Sequence, residues 1–234
     1  MINDFNLKMA AVRERTYIAT VQLFADRGYS LNKKLNAQKA IQKEFKAKVS
    51  ILYDNYAPVC YNMYFHGAIR QTPLLEPLKI LFTAMHKDLG LQSINNYLWS
   101  GVFFMGDFYP ELHNEYSAVR KGKKIKFESF LELEDGLLEM VHILAKKALP
   151  VVDVFLNIEL MKEKLPLLIE EFRDEYLNIY SFLLFTALYD KEKFNEMFAL
   201  VIEVVDSVKK RGDKWSVYFD HLEYVREHLI SNYL

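Results

Sequence analysis

The residue pattern predicts an all-α protein, with eight to ten helices packed as antiparallel helical hairpins. Three observations carry this expectation. Apolar residues recur at three- and four-residue steps over almost the whole chain, the frame of one helix face. Gly and Pro are sparse, eight and six in 234 residues, which favours long regular elements and short connections. Residues suited to N-capping precede the apolar runs, at Asp4, Ser30, Thr72, Asp190 and Asp213.

The first helix is expected from Asp4, with Tyr17, Val21 and Phe24 on one face and Gly28 as its stop. Ser30 is expected to cap a second, long helix. Its apolar positions are Leu35, Ile41, Phe45, Val49, Leu52 and Tyr56, with Lys33, Lys34, Lys39, Lys43, Lys46 and Lys48 turned outward, until Pro58 ends it. Thr72-Pro73 reads as an N-cap followed by Pro at N1. Leu74, Leu78, Leu81, Phe82 and Met85 continue that helix to Gly90. Residues 93–109 are apolar and aromatic, broken by Gly101 and Gly106, and Pro110 opens a short helix to Arg120. A basic connector, Arg120 to Lys126, follows. Helices are then expected over 128–148, 151–163, 166–189 and 191–211, with a last one from Asp213 onward. One- to three-residue turns join the final three as antiparallel hairpins. No strand is expected, since Val201, Ile202, Val204 and Val205 sit in a helical frame. The organisation expected is one helical domain over 1–234, with a possible subdivision near 120–126.

Apolar residues make up 51% and aromatics 15%, with 17 Phe and 15 Tyr, so a sizeable core can form. The longest nearly uncharged run, Tyr176 to Tyr189, is interrupted by Asn178 and Ser181. It falls short of the roughly 20 residues a membrane span needs. It therefore reads as a buried helix, and no membrane is expected as a partner. The start, MINDFNLKMAAVRER, has no apolar secretory region, and Cys60 is alone, which excludes an internal disulfide. A reducing cytoplasm is the expected location.

Charge is unevenly spread. Residues 1–50 hold ten Lys/Arg and four Asp/Glu, a net of +6, whereas residues 128–206 hold seven and seventeen, a net of −10. Such asymmetry speaks to partners rather than to fold. Glu170, Glu171, Asp174 and Glu175 place like charges four apart twice, at a cost of a few tenths of a kcal/mol per pair. Glu132, Glu134, Asp135 and Glu139 form a second cluster. Solvated faces usually mix signs, so one-sign faces point to a basic protein partner, possible contacts being these carboxylates. Tyr97 and Trp99 in the aromatic segment are the candidate apolar anchors.

Signatures of catalysis are missing: no G-x-G-x-x-G, P-loop, G-x-S-x-G, H-E-x-x-H or C-x-x-C occurs. No catalytic residue and no cofactor are therefore expected. Glu139-Met-Val-His142 has the Glu-x-x-His spacing of helical di-metal sites, which need the motif twice and two further Glu. It occurs once, and His221 and His228 stand seven apart, so no metal is expected. The basic run at 120–126 lacks interleaved aromatics and reads as a solvated connector.

Two stretches resemble known families. Arg13 to Tyr29, RERTYIATVQLFADRGY, is similar to the opening helix of TetR-type regulators, with their Leu-Phe-x-x-x-Gly ending. The resemblance implies a ligand-responsive DNA-binding regulator with its contacts in residues 1–50. That family needs a turn and a recognition helix within about twenty residues of the Gly, and the pattern from Leu31 past Tyr53 holds no such turn. Nucleic acid is accordingly not the expected partner. The C-terminal part, FLLFTALYDKEKFNEMFALVIEVV with the hairpin about Asp190 and the Trp215 helix, resembles all-helical immunity proteins of bacterial polymorphic toxin systems. That resemblance implies neutralisation of a cognate toxin by occlusion, without a cofactor, and carries over no site residues. The expectation is a non-enzymatic binding protein presenting an acidic helical face. The alternatives are a TetR-like regulator and, third, a helical metalloenzyme.

Overall fold

The computed structural model describes residues 2–41, 44–56, 60–91, 103–108, 125–127, 130–173, 176–209 and 219–234. Most of these residues are helical. The helices are α1 (Ile2–Asp26), α2 (Thr72–Leu89), α3 (Phe130–Ile143), α4 (Leu149–Phe155), α5 (Ile158–Glu171), α6 (Tyr176–Tyr189), α7 (Phe194–Lys209) and α8 (Leu222–Tyr233). The all-α expectation is corrected by a sheet. Its strands are β1 (Ser30–Leu31), β2 (Asn36–Ile41), β3 (Phe45–Tyr56), β4 (Cys60–Gln71), β5 (Phe103–Phe108) and β6 (Ile125–Phe127). Their order is β1-β2-β3-β4-β5, with β6 also pairing with β4. The pairs β1–β2, β2–β3 and β4–β6 are antiparallel.

The expected second helix is therefore a hairpin. Ile41, Phe45 and Val49 lie four apart, and a step of four keeps one face of a helix and also one face of a strand. Ala47 and Ile51 decide between the two. Phe45, Ala47, Val49 and Ile51 are all buried, while Lys46 and Lys48 are exposed, a period of two. In the β2–β3 register Ala37 faces Val49, Lys39 faces Ala47 and Ile41 faces Phe45. Lys39 thus stands on the inner face of the sheet. The turn into β2 is built on Asn32, whose Oδ1 accepts the N–H groups of Lys34 (2.8 Å) and Asn36 (3.2 Å). It carries Leu35 at φ 62 with its side chain buried. A left-handed backbone costs a non-glycine residue roughly 1–2 kcal/mol, which burial of the leucine offsets.

The chain forms two compact units: Met1–Ala68 with Met105–Asp153, and Ile69–Phe104 with Val154–Leu234. In the first, α1 buries Val12, Thr16, Thr20 and Phe24 at successive four-residue steps. The two threonines keep their hydroxyls satisfied by donating to the carbonyls of Val12 (2.8 Å) and Thr16 (2.7 Å). Helix α1 packs on α3, which buries Leu133, Leu137, Met140 and Ile143. In the second unit α6 is the central helix. From Tyr176 to Ala187 every side chain except Leu177 is buried, as its uncharged sequence predicts. It packs against α2, α5, α7 and α8. Phe155, Phe172 and Phe182 meet there with ring centroids 5.8 to 6.3 Å apart.

Several expected boundaries move. The helix expected over 151–163 is broken at Asn157, whose side chain caps α5 by accepting from Glu159 and Leu160. The one expected over 166–189 begins only at Tyr176, because Pro166 lies inside α5. The N-cap of α2 is Gln71 rather than Thr72. Asp190 precedes a single 3₁₀ turn, Lys191–Lys193, without a side-chain capping bond. The caps at Asp213 and the short helix at 110–120 lie outside the described residues.

Candidate functional site

Helix α5 separates its side chains sharply by angle. At about 100° per residue, Met161, Leu165, Leu168 and Ile169 share one face and are buried. Leu160, Glu163, Leu167 and Glu170 fall on the opposite face, and all are exposed, as is Glu159 beside them. Leu160 is 40% and Leu167 49% exposed. They stand one heptad apart, with carboxylates before, between and after them. Lys162 and Lys164 hold Glu159 and Glu163 at 3.0 and 2.9 Å, which leaves the Glu170 end the more negative. The face is an acidic stripe with an apolar centre.

Of the carboxylates expected to form the partner face, Glu170 is exposed on this stripe and Glu171 is half-buried at its edge. Asp174 and Glu175 lie outside the described residues, as do Tyr97 and Trp99. In the second expected cluster, Glu132 and Glu134 sit on α3 with side chains outside the described set, while Asp135 is exposed. Asp135, Leu138, Glu139 and His142 make a second exposed acidic stripe, on the first unit. Leu160, Leu167 and Leu138 were not legible as surface residues. In α5 every leucine fits some apolar face, and the sequence does not say which one packs inward.

A different arrangement gathers on the first unit. The end of α1 is a Schellman turn: Tyr29 N–H donates to Phe24 O (2.8 Å) and Gly28 N–H to Ala25 O (2.9 Å), with Gly28 at φ 77. The Phe24 and Tyr29 rings pack edge to face at 5.7 Å, the apolar contact this turn favours. The turn fixes Arg27 and Tyr29 beside a second irregularity. Residues Leu144–Ala148 form a π-turn between α3 and α4, in which Leu149 N–H donates to Leu144 O, five residues back. Ala145 O would then look to residue 150 for a donor, and Pro150 has none. The freed carbonyl accepts Arg27 Nη2 at 2.6 Å. Arg27 Nη1 reaches Asp153 Oδ2 at 3.3 Å, and Lys39 Nζ reaches Asp153 Oδ1 at 2.6 Å. Lys39 Nζ also lies 5.2 Å from the Tyr29 ring centre. The Tyr29 side chain is buried, and among the described residues its hydroxyl has no hydrogen-bond partner. Burial first, and the Asp153 charge second, push its pKa far above the ordinary phenol value, against a smaller opposing pull from Arg27.

The TetR-like ending of α1 is present, but among the described residues 30–56 form strands, so no recognition helix follows Gly28 there. Glu139 and His142 are exposed on α3. Among the described residues no group of three His, Cys, Asp or Glu is placed to hold a metal ion. No helix described is long and apolar enough to cross a membrane. A shallow groove of about 490 Å³ runs along α2, lined by Glu76, Lys79, Ile80, Thr83, Ala84 and Lys87. Its charges are mixed, with Lys79 Nζ paired to Glu76 at 2.6 Å. Comparison with protein-family models, with curated proteins and with solved structures returns no match.

Proposed function

We propose that this chain is a non-enzymatic protein-binding module, and that the outer face of α5 docks a basic partner protein. The observation that supports this reading is the exposure of Leu160 and Leu167 one heptad apart, bracketed by Glu159, Glu163 and Glu170. Carboxylates steer a cationic partner toward the face, and the two leucines supply apolar area that becomes dry on docking. The leucines are the anchors on this face; Tyr97 and Trp99, the anchors expected from sequence, lie outside the described residues. In its most specific form the partner is a toxin, occluded by this face, in line with the immunity-protein resemblance.

The partner is obtained by pull-down from the native host and its affinity measured against the wild type and against Leu160→Ser with Leu167→Ser. A loss of tenfold or more is expected, with the helical circular-dichroism signal and urea midpoint unchanged, because both positions face solvent. An unchanged affinity in a folded double variant contradicts the proposal.

A further inference from the structure

We propose that Arg27, Lys39 and Tyr29 form a binding site for a small oxyanion, a carboxylate or phosphate group. Two cations share the single carboxylate of Asp153, and the side chains of Arg27, Lys39 and Asp153 are only 30%, 18% and 29% exposed. Among the described residues one positive charge is left over in a partly dry setting, where charges are ordinarily neutralised. A guanidinium, an ammonium and a phenol bring many N–H and O–H donors, and among the described residues the acceptors they use are Asp153 and Ala145 O. The surplus is of donors, so the missing group is an acceptor. Tyr29 is 4% exposed and its hydroxyl is unpartnered among the described residues, a state that costs about 1–3 kcal/mol in a protein interior. Its hydroxyl lies within electrostatic reach of both Asp153 and Arg27, and it stays protonated at neutral pH, hence a donor. Lys39 faces Ala47 across the hairpin, which places it on the buried face of the β2–β3 pair. The Schellman turn and the π-turn hold Tyr29, Arg27 and Asp153 in place before any ligand arrives.

The test is thermal unfolding of the whole chain in chloride, acetate and inorganic phosphate at matched ionic strength, with Tyr29→Phe and Asp153→Asn alongside. Phosphate stabilises proteins in general by exclusion from their surface, so the informative signal is a saturable rise in Tm. The wild type is expected to show one with phosphate or with acetate, and the anion that works identifies the ligand group. Tyr29→Phe is expected to be at least as stable as wild type in chloride and to weaken the anion response about tenfold, the worth of one charge-assisted hydrogen bond. Asp153→Asn removes the competing negative charge and is expected to bind the same anion at least threefold tighter. Three results overturn the proposal: no saturable rise with either anion, a full response in Tyr29→Phe, or a Tyr29→Phe protein less stable in chloride, which would mean that the hydroxyl is already bonded within the fold.

Discussion

Asp153 and Glu170 are both helix carboxylates, on α4 and α5, and their surroundings give them opposite roles. Asp153 is held by Arg27 and Lys39 beneath a sheet and a π-turn. Glu170 stands in solvent next to an exposed leucine. Removing a charge from the first place leaves two half-buried cations without their counter-charge. Removing one from the second changes only the field outside the protein. The difference teaches that the acidic bias of this chain is not one property. Part of it is paired with cations inside the fold, and part stands in solvent.

Asp153→Ala should have the largest effect on stability, about 1–2 kcal/mol after allowing for solvent screening of partly exposed ions, read as a lower urea midpoint. Gly28→Ala comes next. A Cβ at this position meets nothing within 4 Å, so the cost is the left-handed backbone alone, about 1 kcal/mol. It would also loosen the turn that sets Arg27 and Tyr29. Glu163→Lys with Glu170→Lys should leave stability within about 0.5 kcal/mol of wild type. A large loss there would erase the contrast with Asp153.

The smallest effect concerns His228 on α8. Its Nε2 is enclosed without a partner among the described residues, and burial lowers its pKa below the usual histidine value. The fold therefore favours the neutral ring. That contribution is present above the unfolded pKa of about 6.5 and fades as pH falls through the lower folded value. Denaturation midpoints measured from pH 7 down to 5 should fall less in His228→Gln than in wild type. Equal slopes would remove His228 from the account.

Much of the helical architecture was legible. The uncharged run of α6 announced a buried helix, and Gly28 and Gly90 marked two helix ends that adopt the left-handed conformation. The sheet was hidden for a physical reason: Ile41, Phe45 and Val49 satisfy both periods, and Ala47 is too small to register as apolar. The π-turn was hidden too. Pro150 announces a lost hydrogen bond, but only the fold shows that Arg27, more than a hundred residues earlier, takes the freed carbonyl. The acidic charge of α5 was legible from composition. The exposure of Leu160 and Leu167 within it depended on which face met α6 and α7, a tertiary choice that local spacing does not encode.

We propose that the α5 face receives a basic protein. Stopped-flow association of the captured partner, measured across a salt series with wild type and with Glu163→Lys plus Glu170→Lys, tests it most directly. An acidic docking face predicts a wild-type association rate that falls steeply with salt. It also predicts a double reversal about tenfold slower at low ionic strength, with a flattened salt dependence. Identical rates and identical salt slopes for the two proteins would contradict it.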